Sequence, residues 1–426
     1  MGLTNVAKTP PKGWNSWDCY GASVTEKEVI ANAEYMEKHL KSHGWEYVVV
    51  DIQWYEPAAK SSLYNAFYPL EMDEYSRLMP AINRFPSAKD GHGFKPLAQR
   101  IHGMGLKFGI HIMRGIPRQA VHRNTPLSGT SKRARDIAHS NSICPWNTDM
   151  YGVDTGKEGA QIYYNSLFDL YASWGVDYVK VDDIASSRLY RFHQSEIEMI
   201  RKAVDQCGRD MVLSLSPGPA PLEHADILKN NANMWRITDD FWDTWDYLYP
   251  MFERCDQWAE HVSPGNWPDC DMLPLGHIGI RSVDGGAADR VTRFTKNEQL
   301  TMMTLWSIFR SPLIFGGELC DNDEWTLRLL THPELSRMHL TVINPHQVSR
   351  KDELITWVAS TENSICYAAV FNVGKGDKIT VIDPGSLGME PEKDILDVWK
   401  DRKVGKMERV HVEEHGVVLL KGYRAS

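Results

Sequence analysis

Two stretches decide the fold: Gly44-Trp45-Glu46-Tyr47-Val48-Val49-Val50-Asp51-Ile52 and Gly175-Val176-Asp177-Tyr178-Val179-Lys180-Val181-Asp182-Asp183. They match position for position, with a glycine at the head, a tyrosine at the same place and an acid after the apolar run. A helical pattern precedes each. Thr25 and Glu28 form a capping-box signature, and Val29, Ala33, Met36 and Leu40 then recur on one helical face. Ile162, Leu167, Leu170 and Tyr171 form the corresponding face before Gly175. A helix, a glycine stop and a short apolar strand ending in polar residues make one repeating βα unit.

The same pattern occurs elsewhere. Short apolar runs ending in polar or glycine-rich turns lie near residues 12–18, 107–113, 211–218, 234–240, 267–273 and 312–319. With the two opening stretches they make eight strands alternating with helices. That predicts an α/β fold, a (β/α)8 TIM barrel over residues 8–335. The loops after strands two and three, about 55–95 and 114–158, are rich in Pro, Asn, Arg and aromatic residues and are expected to wall the active face. Beyond residue 335 the helical period disappears. LTVINPH, ELITWVAS, SICYAAVFNV, KITVID, ILDVWKD and GVVLLKGY read as short strands, so 336–426 is expected to be an antiparallel β-sandwich domain.

Composition narrows the function. The chain of 426 residues is long enough for a large barrel with an appended domain. Its net charge of −9 repels nucleic acid and anionic membrane surfaces, so neither is expected as a partner. The opening MGLTNVAKTPPKGW lacks an apolar leader core, and no apolar run is long enough to span a bilayer. Position 6 is Val, which removes Gly2 from a myristoylation motif. Seven cysteines without a CxxC pair argue against a disulfide framework or structural zinc. The expectation is a reduced, cytoplasmic protein. Fifteen Trp and 17 Tyr supply flat apolar faces that suit both core packing and sugar rings.

On a barrel of this kind the C-terminal ends of the strands face the active site. Those ends carry Trp17, Asp51, His111, Lys180, Asp182, Asp183, Ser216, Arg236, Asp239, Asp240, Asp269 and Asp271. Carboxylates accept from sugar hydroxyls while Lys and Arg donate to their oxygens, so the set fits a polyhydroxylated substrate. Acids on strands four and six also offer the pair that glycoside hydrolysis needs. An Asp at a strand end serves equally well as a helix cap, and His111 serves equally well as a hydrogen-bonded core histidine. Lys180 differs, because a lysine inside a barrel needs a partner. No HxH or HExxH pattern is present, so neither a metal nor a cofactor is expected.

At PPKGWNSWDCYG, YVVVDIQW, KFGIHIM, WGVDYVKVDD, WRITDDFWDTW, PDCDML and NEQLTMMTLWSIFRSPLIFGGEL the chain resembles glycoside hydrolase family 27, over nearly its whole length. These retaining enzymes include α-galactosidases and α-N-acetylgalactosaminidases, and some members similar to this chain are β-L-arabinopyranosidases. The resemblance implies a nucleophile at Asp182 and a proton donor at Asp240, four residues after Arg236, with Asp239 as neighbour. It implies substrate contacts from Trp17, Asp51, Ile52, Trp54, His111, Lys180, Ser216 and Arg236. Arg236 and Lys180 are expected to keep Asp182 ionised, and Asp239 to favour a protonated Asp240.

Three departures from the family pattern stand out. The usual Asp-Asp pair is Asp51-Ile52, which removes a polar contact to the primary hydroxyl of galactose and favours β-L-arabinopyranose, the same sugar without its CH2OH group. A Cys-Glu-Trp-type segment after strand five is replaced by Ser216-Pro217-Gly218-Pro219. The cysteine after the nucleophile is absent, leaving Cys144 without the family partner. The substrate is thus expected to be a small oligosaccharide or glycoside carrying a terminal arabinopyranosyl or galactosyl group. An α-galactosidase or α-N-acetylgalactosaminidase is the alternative, a Schiff-base lyase or aldolase using Lys180 is a distant one, and a non-catalytic sugar-binding protein is a third. Homo-oligomerisation stays open, since no segment marks an interface.

Overall fold

The computed structural model describes residues 6–282 and 288–425; the start of the leader stretch, residues 1–5, lies outside them. Eight strands form one parallel sheet: β1 (Lys12–Asn15), β2 (Tyr47–Val50), β3 (Lys107–Met113), β4 (Tyr178–Asp182), β5 (Val212–Leu215), β6 (Met234–Arg236), β7 (Trp267–Asp269) and β8 (Leu313–Phe315). Every expected strand is present. Spatial order follows chain order: β1 to β6 each pair with the next strand in sequence, and β8 pairs with β1. The ring closes through Leu273, just past β7. Its N–H donates to Ile314 O at 2.7 Å and its carbonyl accepts from Gly316 N–H at 3.0 Å. The molecule is therefore a (β/α)8 barrel, reached by repeating a helix and a strand until the sheet meets itself.

The expected caps form, and the expected apolar faces are largely buried, with Ile162 the exception. The helix Glu26–His39 begins at Thr25, whose N–H donates to the Glu28 carboxylate at 2.8 Å, and Val29, Ala33 and Met36 are buried. The helix Ala160–Trp174 stops at Gly175, which takes the left-handed conformation that favours glycine. Leu167 and Tyr171 are buried there, whereas Ile162 faces outward. The loop after β3 carries its own small sheet, Ile116–Pro117, Ala138–Ile143 and Met150–Val153, which its polar composition did not signal.

The last helix of the barrel region runs Pro333–Thr341, spanning residue 335, and the antiparallel strands begin at Val342. They are β9 (Val342–Lys351), β10 (Leu354–Thr361), β11 (Ile365–Asn372), β12 (Lys378–Ile382), β13 (Ile395–Asp397), β14 (Arg402–Val404), β15 (Glu408–Val412) and β16 (Val417–Tyr423). Six form one sheet in the order β9-β10-β11-β16-β13-β14, and β12 pairs with β15 to cover it. Period-two alternation gives the large sheet two apolar faces. Cys366, Ala368 and Val370 pack under β12 and β15, while Tyr367, Ala369 and Phe371 join the core of the barrel region. Phe371 meets Phe252 with ring centroids 5.0 Å apart.

Candidate active site

The site follows from the alternation of side chains along the barrel strands. Tyr47 and Val49 of β2, Tyr178 of β4, Val212 of β5, Met234 of β6 and Trp267 of β7 form a separate apolar plug inside the ring. Two residues further on, the same inward phase presents Asp51, Lys180, Arg236 and Asp269. Another step along β4 presents Asp182, and His111 follows Gly109 on β3 in the same way. Polar groups thus sit above an apolar floor, at the C-terminal mouth of the barrel.

The mouth holds a cavity of about 250 Å³. Of the residues singled out in the sequence, Trp17, Asp51, Ile52, His111, Lys180, Asp182, Arg236 and Asp240 line it, together with Asp239 and Asp271. Trp54 and Ser216 do not. Gln53 takes a positive φ of 62°, which breaks the alternation after β2 and sends Trp54 into the shell beneath the helices. There the fully buried Trp54 indole N–H donates to His111 O at 2.7 Å, so it braces the floor. Ser216 turns its hydroxyl toward Val181 O, at 3.5 Å, and Pro217 lines the wall in its place.

Asp51 caps no helix, since a turn follows it. Its Oδ2 accepts from Asn15 Nδ2 at 2.8 Å and Lys180 Nζ at 3.1 Å, and its Oδ1 from Ile52 N–H at 2.8 Å. Burial alone would raise the Asp51 pKa, but Lys180, His111 and these donors hold it well below the usual carboxylate range. The exchange is mutual. Burial would strip the proton from Lys180, yet the Asp51 and Asp182 carboxylates hold its pKa above the ordinary lysine value. A Schiff-base lysine needs a neutral amine, so this environment opposes the lyase alternative.

Asp182 is gripped at both oxygens. Oδ2 lies 3.1 Å from His111 Nε2, and Oδ1 accepts from Asp183 N–H at 2.7 Å. Burial pushes its pKa up, but the His111 hydrogen bond, followed by the charges of His111 and Lys180, brings it below the usual value. Arg236, expected beside Asp182, instead reaches the other way. Its Nη2 lies 3.0 Å from Asp240 Oδ1 and its Nη1 lies 2.8 Å from Asp271 Oδ1. Asp239 is exposed, and its carboxylate accepts from the Asp240 backbone N–H at 3.0 Å. Asp183 points away from the cavity into a buried ion pair with Arg114, at 3.0 Å.

Sequence reasoning missed part of the wall: Asp18, Ser62, Tyr64, Trp146, Arg188 and Trp242 also line the cavity. Tyr64 stacks on Trp17 with centroids 6.3 Å apart, and Trp146 meets Tyr64 at 5.7 Å. Both come from the long loops after β2 and β3, whose aromatic content was the only available signal. The buried Asp149 ties these loops together, accepting from Gln53 Nε2 at 3.0 Å and Tyr55 OH at 2.8 Å.

A cavity ringed by carboxylates with aromatic side chains along one wall, at the C-terminal mouth of a (β/α)8 barrel, has the architecture of a carbohydrate-cleaving enzyme. A family model described as alpha galactosidase A matches residues 128–335. The crystal structure of a GH27 β-L-arabinopyranosidase from Geobacillus stearothermophilus is 63% identical, with a TM-score of 0.97, covering 99% of this chain and 98% of that one. A putative α-N-acetylgalactosaminidase from Bacillus halodurans is 60% identical, with a TM-score of 0.88 and 98% of both chains covered. Alpha-galactosidase 2 of Arabidopsis thaliana is 23% identical over 93% of this chain and 84% of its own length. The chain belongs to glycoside hydrolase family 27, and it is a glycoside hydrolase.

Proposed function

We propose that this enzyme is a retaining exo-glycosidase that removes terminal β-L-arabinopyranosyl groups, and α-D-galactosyl groups less readily, from small glycosides. In the proposed double displacement Asp182 attacks the anomeric carbon while Asp240 donates a proton to the leaving oxygen. Asp240 then serves as base for the water that releases the sugar. The depressed pKa of Asp182 supports its role as an ionised nucleophile. Asp51, Lys180 and His111 serve as hydroxyl ligands, and Trp17 packs on the sugar face. A cavity of about 250 Å³ lies below the roughly 300–1,000 Å³ of drug-sized ligand sites, which supports cleavage of one terminal sugar at a time.

Ile52 carries the substrate assignment. It lines the cavity beside Asp51 and is only 2% exposed, so the corner beside that hydroxyl ligand is apolar. A galactose CH2OH group placed there buries a hydroxyl without a partner, at a cost of about 1–3 kcal/mol, whereas arabinopyranose has no such group. Ile52→Asp is expected to raise the ratio of p-nitrophenyl α-D-galactoside to β-L-arabinopyranoside hydrolysis roughly tenfold or more. An unchanged ratio, or faster galactoside hydrolysis by the unmodified enzyme, overturns the arabinopyranose reading in favour of an α-galactosidase.

A cytoplasmic location completes the proposal. Seven cysteines with no CxxC pair among them support a reducing compartment. No helix among the described residues is long and apolar enough to cross a membrane. The substrate is then an imported oligosaccharide or glycoside, with neither nucleic acid nor membrane as partner.

A further inference from the structure

We propose that Asp271 is a positioning residue for the proton donor: its carboxylate grips the chain on both sides of Asp240 and shares Arg236 with it. This inference rests on the reading of Asp240 as the acid/base. Asp240 stands on a short turn beyond β6, with its side chain 53% exposed. Asp271, from the segment after β7, is 4% exposed. Its Oδ1 receives Arg236 Nη1 at 2.8 Å, and its Oδ2 receives the Phe241 N–H at 2.8 Å. One carboxylate therefore fixes the residue four before Asp240 and the residue immediately after it. Asp271 has a positive φ of 77°, a conformation that most side chains avoid and that Asp and Asn tolerate best. Its backbone is held in turn, the N–H donating to Asp269 Oδ1 at 3.0 Å and the carbonyl accepting from Trp306 Nε1 at 3.3 Å.

The shared arginine has an electrostatic consequence. An Arg236 serving Asp240 alone would pull the proton from the group that must donate it. A second carboxylate on the other arm shares that guanidinium and offsets its pull. The charged and titratable groups facing Asp271 are Arg236 and Asp240 from the β6 side, Asp269 at the end of β7, Lys180 from β4 and Asp18 from the turn after β1. Burial, Asp240 and Asp269 push the Asp271 pKa up against the pull of Arg236 and Lys180. This role stands beside the one expected of Asp239, whose exposed carboxylate accepts from the Asp240 backbone N–H.

The test compares Asp271→Asn with the parent enzyme on two glycosides of whichever sugar is hydrolysed faster, one with a 2,4-dinitrophenyl and one with a methyl leaving group. The expected kcat/KM at neutral pH falls roughly tenfold or more for the methyl glycoside and less than about threefold for the dinitrophenyl glycoside. The alkaline limb for the methyl glycoside moves down by about 1 pH unit, because Arg236 now acts on Asp240 unopposed. Asp240→Asn is measured alongside. If that control lacks the leaving-group split, the donor assignment falls and the Asp271 role falls with it. If the control shows the split but Asp271→Asn loses both substrates equally, or leaves the alkaline limb in place, the Asp271 role alone is overturned. Should Asp271→Asn fail to fold, Arg236→Lys carries the test, since lysine keeps the charge without a second arm. The same split is expected, and its absence overturns the proposal.

Discussion

His111 and Asp182 meet at 3.1 Å, and that contact determines how acidic a solution the proposed nucleophile tolerates. Asp182 must be ionised to attack. Burial opposes ionisation, and the His111 hydrogen bond is the first of the effects that outweigh it. His111→Ala removes that donor, so the Asp182 pKa must rise. The acid limb of kcat/KM, measured with a good leaving group, is expected to move up by about 1 pH unit or more. At this scale the sequence was legible wherever a strand keeps its alternation. Asp51, His111, Lys180 and Asp182 share an inward phase because residues two apart on a strand share a face. Trp54 was not legible, because a backbone reversal at Gln53 has no signature in a run of apolar residues. Nor were the partners of Arg236, since Asp271 lies one strand further on and only the closed ring brings the two together.

The barrel strands need close approach as well as apolar sequence. Gly13 of β1 faces Tyr47 of β2, and a Cβ added there would lie 2.4 Å from the Tyr47 carbonyl oxygen and 2.7 Å from its Cβ. Gly13→Ala therefore has to push β1 away from β2. We expect it to cost about 1–3 kcal/mol and to lower the apparent melting temperature, with reduced activity because Asn15 and Asp51 bond across the same pair of strands. A variant as stable and active as the parent would show that the two strands separate freely. All eight parallel strands were legible, since each apolar run ends in polar or glycine-rich residues. In the second region β14 and β15 were not. RKV and ERVHV are short and rich in charge; β14 pairs locally with β13, whereas β15 depends on β12, further back in the chain. Tyr64 and Trp146 were illegible for a related reason, because loops without a period do not reveal which aromatic side chain turns inward.

Across the whole molecule, the barrel and the β-sandwich share a core. Phe371 meets Phe252, and Trp357 packs edge-on against Phe309 at 6.2 Å. His415 stacks on Trp245 with centroids 3.6 Å apart, which brings the sandwich to the segment that follows Asp240. A chain ending at Thr341 leaves these large apolar surfaces in water and is expected to aggregate on size-exclusion chromatography; a monodisperse, active product would mean that the barrel folds alone. The seam of the ring has a different consequence. Between β7 and β8 the parallel pairing runs through the single bridge Leu273–Phe315, and residues 271, 272 and 273 are consecutive. Asp271 pairs with Arg236, Met272 lines the cavity and Leu273 closes the ring. The seam that closes the ring therefore lies two residues from the carboxylate that holds Arg236, so scaffold closure and the setting of the proposed proton donor share one short stretch of backbone.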